Sequence, residues 1–156
     1  MTSFLLTILT SFYERLLAVT ENIGARYQEA SGAKIRGLYF EGPYFTEKYK
    51  GAQNPAYMKD PSMYEFRAWQ KAANGLLNKI ALAPEREGVE EFVRTLTDEG
   101  LTVALGHSNA TFDKAKTAVE AGASVWVHAY NGMRGLTHRE LGIIGAIYEL
   151  PTPMRN

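Results

Sequence analysis

The strongest constraint on the fold of this chain is a repeated alternation of short apolar runs with longer amphipathic ones. Ser3 to Leu9 is a nearly continuous apolar run of strand length. Phe12 to Glu29 follows, with Phe12, Leu16, Val19 and Ile23 at helical spacing. Ile35 to Phe40 is the second strand and ends at Glu41-Gly42-Pro43. Ser62 to Leu77 has a helical pattern, opened by a serine cap with Glu65 three residues on. Lys79 to Ala83 is a strand closed by Pro84, and Glu87 to Glu99 a helix closed by Gly100. Leu101 to Leu105 runs into Gly106-His107, Thr111 to Ala121 is helical, and Ser124 to Val127 is a fifth strand ending at His128. A Gly-rich stretch to Gly142 and an apolar run from Ile143 to Leu150 complete the pattern.

Strand and helix in strict alternation predict a parallel sheet with right-handed crossovers, hence an α/β fold of about five parallel strands. The strands are apolar at almost every position, as expected where both faces are covered. An open doubly wound sheet and a (β/α)8 barrel both satisfy this order. A complete barrel takes roughly 250 residues, and this chain has 156. Residues 1–150 read as one domain, and the Pro-flanked tail 151–156 carries no structural signal.

Composition narrows the function. Lys plus Arg and Asp plus Glu both number 17, so the formal net charge is zero and gives no electrostatic reason to expect nucleic acid or an anionic membrane. No apolar run approaches the ~20 residues of a membrane span. The apolar start, Met1 to Leu9, lacks a basic flank and a cleavage site, and reads as a strand rather than a targeting signal. There is no cysteine, so any metal rests on His, Asp or Glu; the same absence suits a reducing compartment such as the cytoplasm.

Three residues of that kind recur at one structural position. Glu41, His107 and His128 each stand at the C-terminal end of a predicted strand, the rim where parallel α/β folds place their active sites. Neighbouring strands lie ~4.8 Å apart, so such residues can converge on one ion. Two imidazoles and a carboxylate suit one divalent ion, zinc first, with iron or another transition metal as alternatives. Tyr44 to Pro61 is longer than an ordinary βα connection and reads as a functional loop. His138 lies in a Gly-rich loop with no strand before it and is expected to shape that loop.

The residues around these positions carry a resemblance. Leu38-Tyr39-Phe40-Glu41-Gly42-Pro43, Lys50-Gly51-Ala52, Leu82-Ala83-Pro84-Glu85, Ala104-Leu105-Gly106-His107-Ser108-Asn109-Ala110 and His128-Ala129-Tyr130-Asn131-Gly132-Met133 occur in that order, followed by His138-Arg139-Glu140. Together they resemble the N-acetylglucosamine-6-phosphate deacetylase family of the amidohydrolase superfamily, from Ser3 to about Leu150. The resemblance implies a partial (β/α)8 TIM-type barrel, a central fragment of the enzyme. It makes Glu41, His107 and His128 ligands of the catalytic metal, and Ala52 a contact to the sugar. Asn131 and Gly132 would meet the phosphate end, as would Arg139, in some members across a homodimer interface. A guanidinium suits that task because it offers paired donors to phosphate oxygens; the competing role for Arg139 is an ion pair with Glu140 or another neighbour. Gln53 stands where some members have histidine, Gly132 where alanine is usual, and Leu6 and Leu141 where proline is frequent.

The implied chemistry is hydrolysis of an N-acetyl group on an amino-sugar phosphate. The metal activates water and polarises the acetyl oxygen, and a carboxylate shuttles the proton. In the family that carboxylate is an aspartate on a later strand, expected beyond residue 156. Asp60, Asp98 and Asp113 do not follow strands. Two other readings stay open: an inactive truncated product or one piece of a split enzyme, and a sugar-phosphate isomerase-type barrel with Glu41 as the proton-transfer residue. Unpaired sheet edges predict self-association of the chain by itself.

Overall fold

Each of the five runs read as strands becomes a strand of a single sheet in the structure, a computed structural model that describes residues 2–150. The expected tail 151–156 lies outside the described residues. Strands β1 (Ser3–Leu9), β2 (Lys34–Glu41), β3 (Leu77–Leu82), β4 (Thr102–Leu105) and β5 (Val125–Trp126) pair in parallel in the order β1-β2-β3-β4-β5. Sequential order is that of a barrel wall. A doubly wound sheet would reverse its strand order at a switch point, and the described strands do not. Helices α1 (Tyr13–Arg26), α2 (Met63–Ala72), α3 (Val89–Asp98) and α4 (Phe112–Glu120) form the crossovers, and α5 (Gly142–Glu149) follows β5.

Strand alternation divides the sheet into two unlike faces. Leu38, Phe40, Ile80, Leu82, Val103 and Leu105 point toward the helices and are buried in one continuous core with Phe66, Trp69, Phe92 and Leu96. The opposite face carries Tyr39, Glu41, Lys79, Ala81, Ala104 and Val125, in register as Tyr39↔Lys79, Glu41↔Ala81 and Ala104↔Val125. Only a small apolar cluster forms there, with Phe45 folded under Ala81 and Ala104. Lys79 lies over the Tyr39 ring, 4.4 Å from its centroid. Burial holds the Lys79 ammonium below the usual lysine range, although Glu41 pulls the other way.

Two helices depart from the pattern read in the sequence. The fully buried residues of α1 are Leu16, Thr20 and Gly24; of the residues read at helical spacing, Leu16 is buried and Ile23 packs half-buried on the core, whereas Phe12 is the exposed residue before the helix. Thr20 can be buried because its hydroxyl donates to the carbonyls of Leu16 and Leu17, at 3.0 and 2.8 Å. Gly24 belongs to the stripe because α1 and α2 approach so closely there that a Cβ would stand 2.5 Å from the Ala72 carbonyl oxygen. Helix α2 keeps its expected cap, with Ser62 Oγ accepting from the Glu65 N–H. It stops at Ala72 instead of Leu77 because Asn74 and Gly75 both turn to positive φ, leaving Leu77 to open β3. The run from Ile143, given no element in the sequence, is α5, which buries Ile143 and Ala146. Among the described residues no helix is long and apolar enough to cross a membrane.

Candidate metal centre

The three rim residues converge. Glu41 is the last residue of β2, while His107 and His128 each follow a strand by two residues. His107 Nε2 and His128 Nε2 stand 3.4 and 3.1 Å from the same carboxylate oxygen, Glu41 Oε1. One donor atom from each residue lies within 4.8 Å of the others. His107 is buried, its ring packed on Phe45 at 4.3 Å between centroids, whereas the His128 side chain is open to solvent. Both histidines hold left-handed backbone, with φ of 47° and 53°. Non-glycine residues sit there at a cost and cluster at functional sites.

Local sequence explains the convergence. Gly106 is required because β4 and the chain after β5 nearly touch: a Cβ at Gly106 would stand 2.5 Å from Val127 Cγ2 and 2.7 Å from the Val127 carbonyl oxygen. That approach brings His107 and His128 edge to face, 4.9 Å apart between centroids. Glu41 is held from the other side, where the Gln53 amide donates to Oε1 at 3.3 Å and its carbonyl accepts from the Thr10 N–H at 3.1 Å.

Donor chemistry tests whether these residues suit a metal. His107 Nδ1 lies 2.7 Å from the Tyr49 carbonyl oxygen. A carbonyl only accepts, so Nδ1 carries the proton and, in the neutral ring, Nε2 turns a lone pair toward Glu41. A carboxylate oxygen facing such a lone pair is repulsive unless a cation or an added proton lies between. Tetrahedral zinc at about 2.0–2.1 Å from each ligand sets the ligand atoms roughly 3.3 Å apart, which the two measured separations bracket. The residues therefore suit one divalent ion.

The centre opens on a cavity of about 280 Å³ lined by Leu9, Gly51, Ala52, Gln53, Asn131 and Gly132 beside the three candidates. Ala52, Asn131 and Gly132 thus meet where the sequence placed them, on two different connections. Arg139 does not: it is exposed and lies outside this cavity. Nor does it pair with Glu140. That carboxylate accepts from the Gly142 and Phe112 N–H groups, which hold it below the usual carboxylate range, and Arg134 stands 3.8 Å away. His138 is exposed and apart from the cluster. A larger cavity of about 790 Å³ is lined by residues of α3, α4 and the turn before α3, and its wall is chiefly mixed charges such as the Glu90–Arg94 pair. The sequence did not disclose the Tyr49 carbonyl, Leu9 or Gln53's grip on Glu41. A backbone acceptor leaves no trace in residue type, but Gln53, at a position where some members of the family have histidine, was a usable signal.

No protein-family model matches the chain. Curated relatives do match. The chain is 40% identical over 93% of its length to N-acetylglucosamine-6-phosphate deacetylase of Vibrio furnissii, and 40% over 92% to N-acetylgalactosamine-6-phosphate deacetylase of Escherichia coli. A solved mutant of the Mycobacterium smegmatis N-acetyl-D-glucosamine-6-phosphate deacetylase, in complex with N-acetyl-D-glucosamine-6-phosphate, superposes on 95% of the chain with a TM-score of 0.88 and 31% identity. The chain belongs to the N-acetylglucosamine-6-phosphate deacetylase family. It spans 37% and 38% of the length of the two curated relatives, and 38% of the Mycobacterium smegmatis chain. Its parallel sheet with covering helices is accordingly a partial barrel.

Proposed function

We propose that this chain supplies the metal centre and part of the substrate pocket of an enzyme that hydrolyses the N-acetyl group of N-acetylglucosamine 6-phosphate, giving glucosamine 6-phosphate and acetate in cytoplasmic amino-sugar catabolism. The observation that carries the reading is the convergence of Glu41, His107 and His128 beside a cavity whose wall includes Ala52, Asn131 and Gly132. An isomerase would have no use for all three residues on one ion, so the same convergence disfavours that alternative. Zinc is the preferred metal, since two imidazoles and a carboxylate leave a fourth position open.

When bound, the ion supplies Lewis acidity, lowering the pKa of a water and polarising the acetyl carbonyl. Glu41, His107 and His128 hold and orient that centre, and the Tyr49 carbonyl fixes the His107 tautomer. Ala52 leaves room for the sugar ring, and Asn131 offers side-chain amide donors toward the phosphate end. Arg139, exposed and outside the cavity, would serve the phosphate of a partner subunit in a homodimer. In the reaction, water oxygen adds to the acetyl carbon, the carbon–nitrogen bond breaks, and the water's proton passes through a carboxylate to the leaving amine. Among the described residues no aspartate lines the cavity; Asp60 instead accepts from the Glu87 N–H and lies near Arg86. That carboxylate must come from outside these residues, and the chain by itself is expected to be inactive.

Calorimetric titration tests the reading. With zinc present, N-acetylglucosamine 6-phosphate should bind more tightly than N-acetylglucosamine, and the His128→Ala variant should lose the zinc-dependent part. No binding, or binding indifferent to zinc, would overturn it. Equal identity to a relative named N-acetylgalactosamine-6-phosphate deacetylase supports a second reading on the C4 epimer. Tighter binding of N-acetylgalactosamine 6-phosphate would select that one.

A further inference from the structure

Glu85 stands in a motif that the metal centre leaves unexplained. It follows β3 and does not line the cavity beside Glu41. Its carboxylate nevertheless accepts three hydrogen bonds from two different rim connections. Thr46 Oγ1 donates from the β2–α2 connection. Ser108 Oγ and the Asn109 N–H donate from the β4–α4 turn, at 2.7 and 2.6 Å.

Both connections lead to His107. On one side Thr46 accepts the Tyr49 N–H at 3.0 Å, and the Tyr49 carbonyl takes the His107 Nδ1–H at 2.7 Å. On the other, Ser108 and Asn109 directly follow His107 and fix the chain where it turns left-handed. The Thr46 N–H closes the circuit by donating to the His107 carbonyl at 3.1 Å. A half-buried carboxylate thus determines both the backbone and the ring of one candidate ligand while touching neither the cavity nor the ring.

We propose that Glu85 is a positioning residue, tying the β2–α2 connection to the β4–α4 turn so that His107 Nε2 faces Glu41 and His128. The proposal rests on the reading of those three as a metal centre. A role confined to stabilising the turn would lower stability and leave metal affinity alone. Positioning requires that metal affinity fall even in the folded chain.

Glu85→Gln separates these, because the isosteric amide sets an NH2 against donors that now meet a carboxylate oxygen. Zinc affinity, measured by competition with a chromophoric chelator at a temperature where circular dichroism shows each chain folded, should fall 10- to 100-fold. The visible bands of the cobalt-loaded chain should shift with it. Thr97→Val is the control: it removes a buried hydroxyl that bonds the Ala121 carbonyl, far from the rim, and should leave both readings unchanged. If Glu85→Gln unfolds, Thr46→Val cuts one arm only and should weaken zinc several-fold. Wild-type affinity in a folded Glu85→Gln chain, or in Thr46→Val where Glu85→Gln unfolds, overturns the proposal, as does equal weakening by Thr97→Val. Failure of the unsubstituted chain to bind zinc or cobalt would instead overturn the metal-centre reading beneath it.

Discussion

The two faces of the sheet are built from the same five strands and do opposite work. The helix-covered face is apolar without interruption, and its largest members are fully buried. The inner face mixes Tyr39, Glu41, Lys79 and small residues, and leaves the Tyr39 hydroxyl buried without a hydrogen-bond partner among the described residues. Burial drives the Tyr39 phenol up, with the Glu41 charge adding to the effect. The buried core therefore lies on the outer face, and the candidate metal ligands at the rim of the inner one. Such a division lets rim residues carry strain, as His107 and His128 do, because the core opposite is indifferent to it.

The comparison fails if outer and inner positions respond alike. Phe40→Ala, on the outer face, should cost about 3–5 kcal/mol in denaturant unfolding. Leu9→Ala, at an exposed inner-rim position of the paired strand, should cost less than about 1 kcal/mol. Gly106→Ala sharpens the boundary between the faces. The added Cβ meets Val127, so a loss of about 1–3 kcal/mol is expected, together with weaker zinc binding because His128 moves with Val127. Loss of stability with unchanged zinc affinity would show that the rim tolerates displacement of β5.

The smallest effect concerns Lys79. Its folded pKa is lowered by burial, so the unfolded chain binds its proton more strongly. Stability should then rise as pH increases through the folded pKa toward the unfolded value of about 10.4. Lys79→Met should remove that rise, read from thermal midpoints across the alkaline range. An unchanged pH profile would mean that the ammonium reaches solvent.

How much of this was legible follows from where the information lies. The strands, the crossover helices and the positions of the three rim residues were readable because periodicity encodes them; strand order was not, since the same alternation fits a doubly wound sheet, and only the family resemblance pointed to a barrel. The stripe of α1 was only partly read: Leu16 and Ile23 do meet the core, but burial of Thr20 depends on carbonyls of its own helix, and burial of Gly24 on the neighbouring helix α2; neither is an apolar signal. Leu77 was placed in the wrong element because a two-residue turn of positive φ at Asn74 and Gly75 outweighs helical spacing. The position of Arg139 relative to the cavity was not legible, since it depends on the path of a Gly-rich loop.

The central claim is that Glu41, His107 and His128 form one metal site. Zinc per chain, measured by mass spectrometry after equilibrium dialysis, tests it most directly. The account predicts one ion per unsubstituted chain and less than a tenth of that in a folded His128→Ala chain. An unsubstituted chain that holds no zinc, or a His128→Ala chain that still holds one equivalent, would contradict it.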